Sequence, residues 1–524
     1  MGYTVFIPTA GTGSRLGGLT KYLNKSLVSI ENKPTLTRIM EMFPDDTEYV
    51  IAVGYKGNIV KEFLTLACGN KKITTVDVFP FEGDGAGLGY TMRRCREFLQ
   101  KPFVFCSCDT LVTEAIPDLT YNWMGWDVRD NKEQYRTISL DGDIVVAINE
   151  KGRGLKDSPK PYIGLAGIYD YELFWKYMDA EESIIQGEST GLRGLVKDTI
   201  VKGQKFTWFD TGVTVELEAT RQRFRYEGGP NILEKPNESI WFLDGKVIKF
   251  SDDTSFIKDR VERAKLLKGF VPQIVDYTEH MYAYKYVDGD VMSSCVSLPI
   301  FKHLLNTSKA FWHKNELSKE ESEHFYNSCM AFYKNKTEER VKLFFERFEK
   351  KDQATIINHK WYPSARDMLR QVDWDYVANG LPGRFHGDFH FENILYNEEK
   401  GEFEFLDWRQ NFGDSLEIGD IYYDLGKLLH GLIMCHELVA KEEYWIKWDV
   451  QEISYDFNRK QMLVQCEKYY YKWLEKNGYD VAKVKLIGAL IFLNIAALHH
   501  NPYSMVLMAL GKEMLSESLD ETNG

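Results

Sequence analysis

"FIPTAGTGSRLGGLTKYLNKSLVSI" (residues 6–30) begins as an apolar, strand-like run and breaks into glycines and hydroxyls before three cations, Arg15, Lys21 and Lys25. Gly11 and Gly13 free the backbone and let amide N–H groups, with Thr12 between them, come close to a ligand. Such a loop between a strand and a helix is a natural cradle for phosphate. The spacing excludes two familiar loops. A dinucleotide fingerprint needs glycine at position 16, where Leu16 stands, and a P-loop needs Gly-Lys-Ser/Thr after four intervening residues, which this stretch lacks. What remains is a Gly loop backed by Arg15, a forked donor, and Lys25, a point charge, both suited to a polyphosphate.

Outward from that stretch, the first 230 residues alternate short β-rich runs ("EYVIAVG", "PFVFCSCD", "DIVVAINE", "IGLAGIYD") with helical spacing ("NIVKEFLTLA", "GYTMRRCREFLQ"). This pattern predicts an α/β domain, a mostly parallel sheet wrapped by helices, with ligands beyond the carboxyl ends of the strands. "RYEGGPNILEKPNES" carries Gly/Pro breaks and little apolar content, so the boundary falls near 225–235. The second domain, 235–524, opens with a hairpin around Asp244-Gly245 in a small lobe to about residue 290. From about 291 it reads as helical, with a loop-and-strand interruption at 383–409.

The totals narrow the function. The 524 residues carry a formal charge of −13, which argues against a nucleic-acid groove but not against a few local cations holding phosphate. Eight cysteines without paired spacing read as buried thiols in a reducing cytoplasm. The start MGYTVFIP has no basic n-region, so no secretory signal is expected. The run "LIGALIFLNIAAL" is short of the roughly 20 residues of a membrane helix, so no membrane insertion is expected either.

"GTGSRLGGLT…NKSLVSIENKPTL" resembles the signature of the sugar-phosphate nucleotidyltransferases, a group that includes phosphocholine cytidylyltransferase. The likeness continues in chain order. "FVFCSCDTL" resembles the strand ending in the family's metal aspartate, here Asp109; "AINEK" its acceptor-touching pair, Glu150 and Lys151; and "FTWFDTGVTVELEATRQRF" the segment with the second metal aspartate, Asp210. Read alone, Asp109 and Asp210 are strand-end carboxylates that cap helices as readily as they bind metal. The resemblance implies a Rossmann-like, GT-A-type fold and attack of an acceptor phosphate on the α-phosphorus of a nucleoside triphosphate. Arg15 would meet the departing pyrophosphate, Lys25 the α-phosphate and Lys151 the acceptor's phosphate, with Mg²⁺ on the two aspartates. "FEGDGAGLGYT" (81–91) occupies the base-recognition region, with Gly87 and Gly89 near the nucleotide. Its departure from the usual pattern leaves CTP, UTP, GTP and dTTP open.

"FHGDFHFENILYN" (385–397) and "FEFLDWRQ" (403–410) carry a second constellation. The spacing His386-x-Asp388-x₄-Asn393, followed by Asp407 closing an apolar strand, parallels a kinase catalytic loop and its magnesium aspartate. Asp388 can accept the proton of a substrate hydroxyl, while Asn393 and Asp407 hold Mg²⁺ against ATP phosphates. The segment resembles the aminoglycoside phosphotransferase and choline kinase family, which implies an α+β, bilobal, protein-kinase-like domain. Asp424 in "DIYYDLGKLLHGL" is that family's usual acid, and "GKVIKF" and "RVERAKLL" offer Lys249 and Glu262 as its strand lysine and helix glutamate. The aromatics at 444–473 read as core or as a cage for a quaternary ammonium.

Together these readings predict a cytoplasmic bifunctional enzyme. ATP phosphorylates a small hydroxyl compound, and a second NTP activates the product, as in surface polysaccharide synthesis; a second copy of the chain is a further candidate partner. A sugar is the first choice of acceptor. The alternatives are a choline or amino-alcohol kinase with a phosphocholine-type cytidylyltransferase, or one half serving only as a nucleotide-binding module.

Overall fold

Val5, Phe6 and Ile7 are fully buried, so the opening strand Thr4–Pro8 must be covered on both faces. In the computed structural model, which describes residues 3–152, 159–226 and 235–523, it lies inside a nine-stranded sheet. The strands run in the order 72–77, 48–53, 4–8, 103–106, 160–168, 122–126, 201–205, 144–149, 137–141. The first four are parallel, as are 122–126 and 201–205. The long strand Lys160–Ile168 runs antiparallel between those two groups, and the hairpin at 137–149 closes the edge, so the sheet is mixed. The chain goes from 4–8 to 48–53 to 72–77 on one side, then returns to 103–106 on the other. That reversal makes the carboxyl ends of Thr4–Pro8 and Phe103–Cys106 the topological switch point, where ligands bind in such sheets.

The chain separates into two compact units. Met1–Ile257 with Val275–Tyr286 form the first; Lys258–Ile274 with Val287–Gly524 form the second. The hairpin Glu238–Leu243/Lys246–Ser251 turns at Asp244 and Gly245, both in the left-handed region. It groups with the first unit, although the sequence boundary near 230 gives it to the second domain. Trp241 donates Nε1–H to Ser29 Oγ (2.9 Å) and meets Phe63 edge-on, and Ile248, Phe250 and Met281 join the same core. The boundary residues 227–234 lie outside the described residues.

The second unit is built on the buried helix Ile421–Ile433, packed against Val481–Ala496, which in turn packs on Tyr503–Asn523. Its interruption at 383–409 holds the 3₁₀ turn Phe391–Asn393 and the hairpin Ile394–Asn397/Glu402–Phe405. A four-stranded sheet, 360–362, 355–357, 452–457, 444–448, stands where the spacing predicts helix. Its parallel pair joins Ile356 to Glu452, and no local pattern announces so distant a pairing. Of the aromatics at 444–473, Tyr470 is fully buried, donates its hydroxyl to Leu425 O and stacks on Trp473. That pair is core, not a cage. Among the described residues no helix is long and apolar enough to cross a membrane.

Candidate active sites

The first site assembles at the switch point. Gly13 sits at φ 67°, where a Cβ would lie 2.8 Å from Lys25 Cβ, so glycine is required for the turn that brings Lys25 under the loop. Asn24 fixes that lysine from below. Its Nδ2 donates to the carbonyls of Thr9 (2.9 Å) and Tyr55 (2.6 Å), and its Oδ1 accepts from Ser26 N–H (2.9 Å). Lys25 Nζ then reaches Asp109 Oδ2 at 3.2 Å, while Arg15, largely exposed, lies 3.9 Å from the same oxygen.

Asp109 follows the strand Phe103–Cys106, and the short antiparallel pair Thr110–Val112/Trp208–Asp210 sets Asp210 opposite Thr110. Gly212 stands between the acids. A Cβ there would lie 2.9 Å from Asp109 Oδ2, 3.1 Å from Asp210 Oδ1 and 3.4 Å from an Arg15 guanidinium nitrogen. One small volume therefore touches both carboxylates and the arginine. The structure brings Arg15, Lys25, Asp109 and Asp210 together.

The two acids differ in proton affinity. Burial pushes Asp109 up, but Lys25, the Ser107 hydroxyl at 2.5 Å and Arg15 outweigh it and hold the carboxyl below its ordinary range. Asp210 is raised, by burial first and then by the charge on Asp109, despite hydrogen bonds from Gly212 N–H (2.7 Å) and Tyr135 O–H (3.1 Å). Two carboxylates repelling one another across a glycine hollow form a donor set that fits a hard dication such as Mg²⁺.

The other predicted residues fall elsewhere. Gly54 is wedged between Ala10 and Phe81, so the 81–91 segment starts beside the opening loop. Gly87 is extended and precedes the helix Leu88–Arg94. A Cβ on Gly89 would sit 1.7 Å from Ser183 O, so that glycine serves helix packing. Glu150 is held by Arg136 (3.3 Å) and Arg193, which keep its carboxyl below the ordinary range against burial, and Lys151 is exposed. Gly11 is open on its Cβ side, and Thr12 is half-buried beside it.

The second site lies in the loop after the strand Pro382–Gly383. Asp424, fully buried, accepts from the backbone N–H of His386 (2.6 Å) and Gly387 (2.7 Å) and from Trp312 Nε1–H (3.0 Å). It thereby fixes the turn before Asp388. Asp388 Oδ1 is 2.8 Å from Lys427 Nζ. Burial acts to raise the Asp388 carboxyl, but Lys427 and His390 hold it well below the ordinary range. Asn393 spends its Nδ2 on Asp388 O (2.9 Å) and Asp388 Oδ2 (3.2 Å), which leaves its Oδ1 without a donor among the described residues. Leu406 N–H donates to Asn393 O (2.7 Å) and so seats Asp407 beside it. Asp407 is held at φ 55°, a strained value for a side-chain-bearing residue of the kind found at functional sites. That amide oxygen next to a half-buried carboxylate, which Arg260 meets at 3.4 Å, is again a donor set that fits Mg²⁺.

Lys249 is buried on its strand with Nζ 5.9 Å from the Tyr284 ring centre. Glu262 is 43% exposed and pairs with Lys265 one turn on (2.7 Å). Its neighbour Arg263 is a residue that sequence reading missed. Fully buried, it donates to the carbonyls of Phe385 (2.6 Å), Leu416 (2.8 Å) and Arg409, and its guanidinium lies over the Phe385 ring. It ties the Asp388 loop to the Asp407 loop. Lys427 was also missed, though it stands three residues after Asp424 in the quoted motif.

Residues 328–450 match the model of the phosphotransferase enzyme family, so the second half carries a domain of that family. Over 223 residues, 40% of this chain, the sequence is 25% identical to the bifunctional protein GlmU of Methanococcus aeolicus; the match covers 51% of that protein, about half its length. Similar solved structures include CTP:phosphocholine cytidylyltransferase from Streptococcus pneumoniae (15% identity, 43% of this chain, 100% of that one, TM-score 0.37). The inositol-1-phosphate CTP transferase from T. maritima is another (14% identity, 44% and 98% covered, TM-score 0.36).

Proposed function

We propose that the chain is a bifunctional transferase whose second unit phosphorylates a small hydroxyl compound with ATP and whose first unit joins the phosphorylated product to a nucleoside monophosphate. In the first reaction the acceptor hydroxyl oxygen attacks the γ-phosphorus of ATP, the bond to the β,γ-bridging oxygen breaks, and ADP leaves. Asp388 takes the hydroxyl proton, held in place by Lys427 and Asn393. In the second, an oxygen of the new phosphate attacks the α-phosphorus of an NTP and pyrophosphate departs. Lys25 neutralises the α-phosphate, exposed Arg15 meets the departing charge, and Lys151 receives the acceptor. Magnesium, when bound, would be held by Asp109 and Asp210 in the first unit and by Asn393 and Asp407 in the second, and would supply neutralisation of phosphate charge.

The observation that supports this reading best is that each unit holds its own oxygen-donor set: Asp109 with Asp210, brought together from about 100 residues apart, and Asp388 with Asn393 and Asp407 from one loop and hairpin. Consecutive use, in the cytoplasm and toward an activated precursor of a surface polysaccharide, is the economical assignment. The test is a mass-spectrometric screen of the full chain with ATP plus each of CTP, UTP, GTP and dTTP against free sugars, choline, ethanolamine and glycerol, and against sugar acids and sugar phosphates. A nucleotide-linked acceptor supports the proposal. ADP and pyrophosphate both absent with every combination refutes it.

A further inference from the structure

The helix Lys319–Met330 passes through a π-helical turn, Ala331–Asn335, into the helix Lys336–Arg347. Such turns commonly sit at functional sites, where they re-aim side chains. Here the turn sets Phe332 and Lys336 on one side. Lys336 Nζ lies 4.2 Å from the centre of the Phe332 ring, and the Arg409 guanidinium lies 4.9 Å from the same ring. Tyr423 meets Phe332 edge-on at 4.7 Å and has Lys427, the partner of Asp388, one turn further along its helix. Arg340 follows Lys336 by one turn.

Lys336 and Arg409 thus share one ring, with Arg340 one turn beyond Lys336 and with Lys427, the partner of Asp388, one turn from the tyrosine that meets that ring. Lys427 is paired with Asp388; Lys336, Arg340 and Arg409 have no carboxylate within ion-pair distance among the described residues. Burial first, then Arg409, Lys427 and Arg340, push Lys336 down to about 7, with Asp388 opposing. A half-buried cluster of like charge is costly unless something negative completes it.

We infer that Lys336, Arg340 and Arg409 form the acceptor subsite of the second unit, and that the hydroxyl compound phosphorylated there carries an oxyanion, a carboxylate or a phosphoryl group. This rests on the reading of Asp388 as the base of a kinase. An anionic acceptor must approach an anionic γ-phosphate, and a cluster of this kind removes the repulsion. A quaternary ammonium is disfavoured for the same reason: the Phe332 ring, the aromatic surface beside the base, already carries two cations. The anion and the attacking hydroxyl belong to one molecule, so Asp388 accepts the proton while the cluster holds the charged end.

The experiment measures ADP release by the full chain with ATP and Mg²⁺ against matched acceptors: sugars, the corresponding sugar acids, the corresponding sugar phosphates, choline and ethanolamine. An anionic member should exceed its neutral parent by about 100-fold in kcat/KM, the scale of rejection when buried polar groups lose their partner. The sugar-acid and sugar-phosphate arms distinguish the two anions. Lys336→Gln and Arg409→Gln should each raise KM for that acceptor by about 10–100-fold and narrow its advantage over the neutral parent; Lys336→Arg should recover part of it. Efficient transfer to choline or to a neutral sugar would overturn the inference and leave the kinase standing. So would variants that raise KM for ATP alone, which would assign the cluster to the nucleotide. A chain that neither binds ATP nor releases ADP with any acceptor would remove both.

Discussion

Replacing Arg263 with methionine separates stability from catalysis in the second unit. The guanidinium donates to three carbonyls, those of Phe385, Arg409 and Leu416, from a fully buried position. Hydrogen bonds to a charged group contribute about 1.5–3 kcal/mol each, so losing three costs about 5–9 kcal/mol gross. Against this stands the cost of keeping the charge there. Burial, reinforced by Arg260 and Arg409, lowers the Arg263 pKa from its ordinary value to about 9, which corresponds to about 5 kcal/mol. Methionine recovers that cost and fills most of the space, so the net loss should be only about 0–4 kcal/mol. Activity should suffer far more. The freed carbonyls of Phe385 and Arg409 lie three residues before Asp388 and two after Asp407, and a shift of about 1 Å in such groups costs about 100-fold in rate. Thermal unfolding and ADP release on the same full-length variant check both numbers, with pyrophosphate release from supplied phosphorylated acceptor as the internal control that should not change. ADP release within threefold of the parent would refute the claim that Arg263 positions the two loops. Wholesale unfolding would refute the energetic balance.

Other perturbations probe the first site and the titrating groups. Gly212→Ala puts a methyl 2.9 Å from Asp109 Oδ2, and pyrophosphate release should fall by at least about 10-fold with ADP release intact. Gly13→Ala must adopt φ 67° and crowd Lys25, for a loss of about 1–2 kcal/mol, read as a lower melting temperature. Lys427→Met removes the charge that depresses Asp388, so the acid limb of the ADP-release pH profile should move to higher pH. Asp424 is raised by burial to about 6 from an ordinary 3.8, so the folded state holds its proton more tightly than the unfolded one. Between pH 4 and 6 this group should therefore remove about 3 kcal/mol of stability as pH rises, and urea unfolding of Asp424→Asn should have a correspondingly flatter slope over that interval.

Much of each site is legible in sequence where the chemistry is local. The Gly loop, Asp109 at its strand end and the His386-x-Asp388-x₄-Asn393 spacing are written within a dozen residues each. What sequence does not carry is which face of an element another segment will cover. In "RVERAKLL" the motif directs attention to Glu262, yet the helix turns that side chain to solvent and buries Arg263 against loops more than 120 residues away. Sequence marks Glu150 by its motif but does not show that Arg193, on the helix Glu188–Asp198, engages it. The strand Asn122–Trp126 escapes notice because "NWMGW" lacks alternation, being covered on both sides by neighbours it meets only in the folded sheet. Gly89 looks like a ligand-facing glycine until Ser183 is found against it. Electrostatic clusters are the least visible, since Lys336, Arg409 and Lys427 are unremarkable charges until the fold gathers them around one ring and one acid.

The central claim is that two separate carboxylate sets perform two reactions in one chain. It is tested most directly by following ADP and pyrophosphate in the same reaction mixture, with an acceptor found by the mass-spectrometric screen, for Asp109→Asn and Asp388→Asn. The account predicts that Asp109→Asn abolishes pyrophosphate release and accumulates the phosphorylated acceptor, while Asp388→Asn stops ADP release but still releases pyrophosphate when given the phosphorylated acceptor. Loss of both products in both variants, or of neither in either, would contradict it.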